Sequence, residues 1–95
     1  MAVKVRYSVK ALSDLQAIFD WVAAEAGVEI AAAYSARIQA RCDSLSDFPL
    51  RGRSRGRAGE RSMPFERRAT ILYRAYEDVV TILGIFHAGR EIDIG

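Results

Sequence analysis

The sequence has few of the residues on which metal and redox sites depend. Its single cysteine, Cys42, excludes an internal disulfide bond, and its single histidine, His87, leaves too few ligands for a zinc site of the usual Cys/His type. There is no Cys-x-x-Cys pair, no His-x-x-x-His pair and no phosphate-binding glycine loop. We therefore expect neither a bound metal ion nor a cofactor.

Long apolar stretches are also missing. Arg, Asp or Glu interrupts each apolar run well before the roughly 20 residues that a transmembrane helix needs. The first eight residues include Lys4 and Arg6 and lack the apolar segment of a signal peptide. Because 51% of the 95 residues are apolar, the chain can form a hydrophobic core. We expect a single domain over residues 1–95, located in the cytoplasm and without a membrane partner.

Lysine is scarce, and arginine carries most of the positive charge. Twelve of the fourteen basic residues are arginine. Residues 51–68 have a net charge of +5, whereas residues 1–50 and 69–95 have net charges of −1 and −2. Arginine binds carboxylates and phosphates through a planar, bidentate group of donors. The central segment is therefore either a solvated loop or a docking surface for an acidic partner.

Arginine occupies every second position from Arg51 to Arg57, at Arg51, Arg53, Arg55 and Arg57. In an extended segment these four side chains would lie on one side, about 6.8 Å apart. In a coiled segment they would form only a charged loop. No apolar residue occurs between Leu50 and Ala58, so we expect residues 50–60 to be a loop with nothing to bury.

Apolar periodicity predicts the regular elements. Val3–Tyr7 alternates as a strand does, and Ser8 is suited to cap a first helix that stops at Gly27 in a left-handed conformation. A second helix is expected over residues 28–47, before Pro49, with Arg37 and Arg41 facing water. The predicted buried positions are 12, 15, 18, 19 and 22 in the first helix and 30, 34, 38, 42 and 45 in the second.

Three strands are predicted after the arginine-rich segment. Arg61–Phe65 suits a short edge strand because Pro64 lacks an N–H group. Ala69–Tyr76 and Val79–Phe86 form a hairpin around Glu77-Asp78, and the last strand is apolar enough to be central in the sheet. The predicted fold is α+β, in the order β-α-α-β-β-β, with an antiparallel sheet and a helical hairpin packed on one face.

The residues leave two interpretations of His87 open. A lone histidine at the end of a buried strand is often structural. Alternatively, His87 is a general acid or base for RNA cleavage, with Arg61 and Arg74 stabilising the transition-state charge. Cys42 lies on the apolar face of the second helix, where we expect an unreactive thiol.

Four segments in chain order match the pattern of a known family. They are Ala11, Asp14-Leu15, Ile18 and Trp21-Val22; Ala33-Tyr34, Ile38, Leu45, Phe48-Pro49 and Gly52-Arg53; Arg61-Ser-Met-Pro-Phe65 and Ile71-Leu-Tyr73-Arg74; and Val80-Thr-Ile82, Ile85-Phe-His87 and Arg90-Glu91-Ile92. On these residues the chain resembles the ParE branch of the RelE/ParE toxins of bacterial type II toxin–antitoxin systems.

The resemblance implies a toxin that is neutralised by a cognate ParD-like antitoxin, whose acidic amphipathic segment folds on binding. ParE-like members inhibit DNA gyrase without catalysis, whereas RelE-like members cleave messenger RNA on the ribosome. The tail after His87 contains no tyrosine, and no lysine follows Lys10, so the first activity is favoured. His87, Arg61 and Arg74 keep the ribonuclease alternative open.

The expected docking residues for antitoxin or target are arginines. They are Arg61, Arg74 and Arg90, with Arg51, Arg53, Arg55 and Arg57 adding electrostatic attraction. Arg90 is equally suited to pair with Glu91 or Asp93. We expect the antitoxin along the sheet edge at residues 61–65 and in the grooves of the helical hairpin. A general nucleic-acid-binding module is a third interpretation, but no aromatic residues alternate with the arginines, and sequence-specific binding is not expected.

Overall fold

The computed structural model describes residues 2–87, so Arg90 and the other predicted tail contacts lie outside the described residues. Two helices pack against a five-stranded mixed sheet. The elements are β1 (Lys4–Tyr7), α1 (Val9–Ala26), α2 (Val28–Asp43), a 3₁₀ turn (Ser44–Ser46), β2 (Arg53–Ser54), β3 (Glu60–Phe65), β4 (Ala69–Tyr76) and β5 (Val79–His87).

The sheet confirms the α+β class and the predicted central position of the last strand. Its strand order is β1-β5-β4-β3-β2. The β2, β3, β4 and β5 strands are antiparallel to their neighbours, but β1 runs parallel to β5, so the sheet is mixed rather than wholly antiparallel. The helical hairpin between β1 and the rest of the sheet is a crossover long enough to permit this parallel pairing.

The start of α1 is capped as its sequence predicts. The Ala11 N–H donates to the Ser8 Oγ over 3.0 Å, and the Ser8 hydroxyl donates to the Leu83 carbonyl of β5 over 3.1 Å. At the other end, Gly27 has φ 101° and ψ 159°. Its positive φ suits glycine, but its extended ψ differs from the predicted left-handed helical conformation. Leu15 and Ile18 are buried, whereas Leu12 is 55% exposed, contrary to prediction.

The α2 helix ends earlier than predicted, at Asp43. The Ser44 hydroxyl donates to the Arg41 carbonyl over 2.6 Å, and the chain tightens into the 3₁₀ turn. The buried face runs through Ala31, Ile38, Cys42 and Leu45, at intervals of seven, four and three residues. Ile30, predicted to be buried, is 56% exposed because it lies about 100° around the helix from the fully buried Ala31 and so falls off this face.

The core lies between the helices and one face of the sheet. Tyr73, Ile71, Val80 and Ile82 are fully buried there, in one cluster with Ile18 of α1. The turn between β4 and β5 has no glycine, and Glu77 adopts a φ of 53° at the predicted position. No described helix has both the length and the apolar character to cross a bilayer.

The Cys42 thiol is fully buried, and burial raises its pKa to about 12. The unfolded thiol ionises near its ordinary pKa of 9.0, while the folded thiol keeps its proton. The thiol's contribution to the free energy of unfolding is therefore fully present below pH 9.0 and is lost as the pH rises toward 12.

We expect the native Cys42 thiol to react with a disulfide reagent at least about 100-fold more slowly than the same thiol in unfolded protein, because only the exposed thiolate attacks. The measurement is the labelling rate near pH 8 with and without denaturant. Equal rates would contradict the burial of this side chain.

Candidate functional site

The arginine-rich segment is a hairpin, which we call the arginine hairpin (residues 51–62). Arg53 and Ser54 of β2 pair with Ser62 and Arg61 of β3. The Arg55 N–H donates to the Glu60 carbonyl over 2.9 Å and closes the hairpin. This corrects the prediction of a loop over residues 50–60. The pairing also makes β2, rather than β3, the edge strand of the sheet. β3 has no neighbouring strand on that side after Ser62, and Pro64 lies in this unpaired part.

A hydrogen-bonded clamp holds the base of the hairpin against the sheet. The Gly52 N–H donates to the Tyr73 hydroxyl over 2.8 Å, and the Gly52 carbonyl accepts from the Arg61 Nη1 over 2.7 Å. Arg61 also donates to the Leu50 carbonyl over 3.3 Å. Gly52 is buried, contrary to the prediction that nothing in this segment is. Because glycine has no side chain, its backbone can lie directly against the Tyr73 hydroxyl and the Ser62 carbonyl.

A groove of about 860 Å³ lies where the arginine hairpin meets the sheet. We call it the arginine groove. Three of the four alternating arginines line it, namely Arg51, Arg53 and Arg55, and Arg41 of α2 joins them. The predicted single row of four side chains is therefore formed only in part. The sequence pattern predicted that Arg41 faces solvent and indicated no functional role for it.

The remaining lining of the arginine groove combines apolar residues with Gly52 and the polar residues Ser62 and Thr70. Met63 and Pro64 of β3, Leu72 of β4 and Phe86 of β5 contribute to it. Leu72 alternates with the buried Ile71 and Tyr73, so this part of the lining belongs to the sheet face that points away from the helices. No acidic residue is among the described residues that line the groove.

The arginines of the groove have no carboxylate partner within the described part of the chain. The ion pairs found there join Lys10 to Asp14, Arg37 to Glu66 and Arg74 to Glu60. Arg51 instead donates to the Ser44 hydroxyl over 3.0 Å and lies 5.2 Å from the centroid of the Phe48 ring. Four guanidinium groups around one concavity therefore present uncompensated positive charge.

Arg57 and Arg74 lie elsewhere. They line a separate depression of about 590 Å³ with Ala58 and Tyr76. Gly56, with a φ of 89°, redirects the chain between Arg55 and Arg57, so the two arginines lie on different surfaces. Arg74 is engaged by Glu60, with 2.9 Å between Nη2 and Oε2.

The ribonuclease candidates His87, Arg61 and Arg74 do not come together. His87 is only 4% exposed, lies opposite Ala69 in the sheet, and has its Nε2 3.0 Å from the Tyr34 hydroxyl. Its ring centroid is also 5.3 Å from that of Trp21. Arg74 is five residues from Ala69 along β4, a separation of about 17 Å, and it points to the opposite face of the sheet.

Arg61 lies opposite Tyr73, four residues from Ala69 along β4, and β3 is two strands away from β5, so Arg61 is about 17 Å from the position of His87. Its guanidinium is used for the clamp described above. The structure thus places His87 among aromatic side chains of the helices and assigns Arg61 to hairpin geometry.

Sequence reasoning missed the role of Asp14. Its Oδ2 accepts from the Ile85 N–H over 2.9 Å and from the Lys10 Nζ over 2.8 Å. β1 pairs with β5 only as far as Ile82, so the Ile85 N–H lies past the end of β1. The Asp14 carboxylate provides the acceptor for this N–H group. A signal was present, because Asp14 falls three residues after Ala11 and four before Ile18, both fully buried, so a charged residue occupies the apolar face of α1.

Comparison with known proteins places the chain in a family. The family model of the ParE toxin of type II toxin–antitoxin systems, parDE, matches residues 5–92. No curated protein sequence gives a significant match.

Two solved structures are similar over most of this chain. One is from the chromosomal ParDE toxin–antitoxin system of P. aeruginosa, with a TM-score of 0.80, 25% identity, and coverage of 90% of this chain and 96% of that chain. Another is from the RelBE2 toxin–antitoxin complex of Mycobacterium tuberculosis, with a TM-score of 0.63, 27% identity, and coverage of 92% and 99%. With the matching fold and a family match over residues 5–92, the chain belongs to the ParE toxin family of type II toxin–antitoxin systems.

Proposed function

We propose that this ParE-family toxin inhibits DNA gyrase in the cytoplasm without catalysing a reaction, and that a ParD-like antitoxin neutralises it. Membership of the ParE family supports a gyrase inhibitor, and similarity to ParDE and RelBE complexes supports an antitoxin partner. The antitoxin and the target are recognised by an arginine-rich surface that includes Arg51, Arg53 and Arg55, none of which has a carboxylate partner among residues 2–87.

The observation that carries the non-catalytic proposal is the separation of the candidate catalytic residues. His87 faces the helices and contacts Tyr34, whereas Arg74 lies on the other face of the sheet in an ion pair with Glu60. General acid–base catalysis needs the acid or base within hydrogen-bond reach of the reacting group and the charge-stabilising groups beside it. This arrangement does not provide that geometry.

A ribosome-dependent ribonuclease remains the alternative, since the RelE-like branch shares the fold. Its strongest support is the similarity to a RelBE2 complex. A ribonuclease would need His87 as a catalytic residue, whereas a gyrase inhibitor would not. Replacement of His87 therefore distinguishes the two functions experimentally.

A gyrase supercoiling assay tests the proposal. We expect purified toxin to abolish supercoiling and to yield linear DNA once protein is denatured before electrophoresis. His87→Gln keeps a group that can hydrogen-bond to Tyr34 and should retain inhibition within about threefold, because no proton transfer is involved. Unaffected gyrase at a stoichiometric excess of toxin would contradict the proposal. If, in addition, wild-type toxin cleaves ribosome-bound messenger RNA and His87→Gln is slower by about 100-fold or more, the ribonuclease alternative is correct.

A further inference from the structure

We infer that a second surface of this toxin contacts the DNA that gyrase holds in the cleaved state. The surface is the depression lined by Arg57, Ala58, Arg74 and Tyr76, which we call the tyrosine depression. Its occupant is a single nucleotide, with the base stacked on the Tyr76 ring and the phosphate bound by Arg57. The inference rests on the proposed function for the presence of gyrase, and it adds a contact with DNA to the proposed contacts with protein.

Tyr76 offers an open aromatic ring. It is 66% exposed, the largest fraction for any aromatic residue between positions 2 and 87. Two other exposed rings each lie beside a cation, since the Lys10 Nζ is 4.7 Å from the Phe86 centroid and the Arg51 guanidinium is 5.2 Å from that of Phe48. Among the described residues, none makes a ring or cation contact of this kind with Tyr76. Its face is therefore available for a nucleobase, and any of the four bases can stack on it.

Arg57 supplies positive charge beside this ring. None of the ion pairs within residues 2–87 includes Arg57, whereas Arg74 is paired with Glu60 over 2.9 Å. Two guanidinium groups and one carboxylate leave one net positive charge, which suits one phosphate. Glu77 and Asp78 follow Tyr76 in the turn, and their charges repel a longer stretch of nucleic acid. The charge pattern therefore favours a single nucleotide.

Backbone contacts hold the tip of the arginine hairpin against β4 and so place Arg57 near Tyr76. The Ala75 N–H donates to the Gly59 carbonyl over 2.8 Å, and the Glu60 N–H donates to the Arg57 carbonyl over 3.0 Å. An added Cβ at Gly59 would lie 2.6 Å from the Ala75 carbonyl oxygen, so the two backbones lie directly against each other. Because the depression is formed before any ligand arrives, little order has to be gained on binding.

A nucleotide suits this depression better than a protein side chain does. Among the described residues that line it, Ala58 is the only aliphatic one, so the apolar pocket typical of a protein-binding hot spot is not formed. One stacked base and one phosphate bind weakly on their own. Once gyrase holds the DNA beside the toxin, the same contact is effectively intramolecular and gains from a high local concentration.

The test measures the toxin concentration that gives half-maximal linear DNA when gyrase acts on a supercoiled plasmid and protein is denatured before electrophoresis. Tyr76→Thr removes the ring and should raise this concentration by about tenfold. Tyr76→Phe keeps the ring, and the Tyr76 hydroxyl has no hydrogen-bond partner within residues 2–87. The phenylalanine variant should therefore recover most of the loss.

The charge at position 57 is tested in the same assay. Arg57→Glu should raise the half-maximal toxin concentration by about tenfold, because it replaces a phosphate-binding group with one that repels phosphate. Arg67→Glu is the matched control, since it makes the same change of charge in a different depression, beside Tyr34. It should change the concentration by less than about threefold. Melting curves of all four variants confirm that each is folded.

Binding to gyrase without DNA separates a DNA contact from a protein contact. We expect Tyr76→Thr and Arg57→Glu to bind DNA-free gyrase with a Kd within about threefold of the wild-type value, because the nucleotide they contact is absent. A tenfold rise in that Kd would show that the tyrosine depression contacts the gyrase protein, and it would overturn the inference.

The remaining outcomes distinguish the inference from the proposed function. If wild-type toxin yields no linear DNA, the proposed function itself fails. If wild-type toxin yields linear DNA and Tyr76→Thr and Arg57→Glu do so at the same concentration, the nucleotide contact is wrong while the proposed function stands. If Tyr76→Phe is as weak as Tyr76→Thr, base stacking does not occur at this ring and the inference is overturned.

Discussion

Replacing Gly52 with alanine should lower the free energy of unfolding by about 3 kcal/mol and detach the arginine hairpin from the sheet. An added Cβ would lie 2.7 Å from the Ser62 carbonyl oxygen and 2.8 Å from the Tyr73 hydroxyl oxygen. Neither contact can relax cheaply, because Ser62 belongs to the β3 ladder and Tyr73 is fully buried. The hydrogen bond between the Gly52 N–H and Tyr73 would be lost as the backbone moves away.

Chemical denaturation of the purified toxin measures this effect, and Gly56→Ala in the same hairpin is the control. Gly56 has a φ of 89° but nothing within 4 Å of an added Cβ. The control therefore carries only the backbone strain of about 1 kcal/mol. We expect the Gly52 variant to bind the antitoxin more weakly than the Gly56 variant, because Arg51 and Arg53 flank the clamp. Equal stability of the two variants would show that Gly52 is not tightly enclosed.

Replacing Asp14 with alanine should lower the free energy of unfolding by about 2 kcal/mol. The substitution removes the acceptor for the Ile85 N–H and leaves that donor of β5 without its charged partner. The loss of the ion pair with Lys10 should contribute little, because the Lys10 side chain is 59% exposed. Because the contact joins α1 to β5, the variant should also exchange the Ile85 amide hydrogen faster than the wild-type protein does.

The control for this prediction is Asp20→Ala on the same helix. Within residues 2–87, the Asp20 side chain accepts a hydrogen bond only from the exposed Gln16 side chain, so its loss should change stability by less than about 0.5 kcal/mol. Asp14→Asn keeps an oxygen acceptor and should recover part of the lost stability. If Asp14→Ala and Asp20→Ala unfold alike, the carboxylate does not hold β5 in place.

Local patterns in the chain were sufficient for most of the fold. The Ser8 cap, the helix break at Gly27 and the hairpin at Glu77-Asp78 depend on residues close together in sequence, and each was predicted. The apolar sequence of β5 also indicated its own central position, because strands apolar at successive positions are typical of the interior of a sheet. Leu12 and Ile30 were misassigned because apolar spacing does not show how wide the buried face of a helix is, and each lies next to a fully buried alanine, Ala11 or Ala31, about 100° away around the helix.

The candidate site depended on contacts between residues far apart in the chain. Asp14 and Ile85 are 71 positions apart, and Gly52 meets Tyr73 across 21 positions. No periodicity within a single element encodes either contact. The parallel β1–β5 pairing has the same origin, because it brings the first strand beside the last.

The alternating arginines show most clearly where sequence reasoning ends. Their composition and spacing determined that the segment is basic, and the surrounding motifs determined the family. In the tertiary structure the four alternating arginines do not share one surface. The positive φ of Gly56 turns Arg57 away, whereas Arg51, Arg53 and Arg55 face the groove. The same packing set His87 and Arg74 on opposite faces of the sheet. Charge and periodicity are properties of neighbouring residues, whereas a groove exists only where distant elements meet.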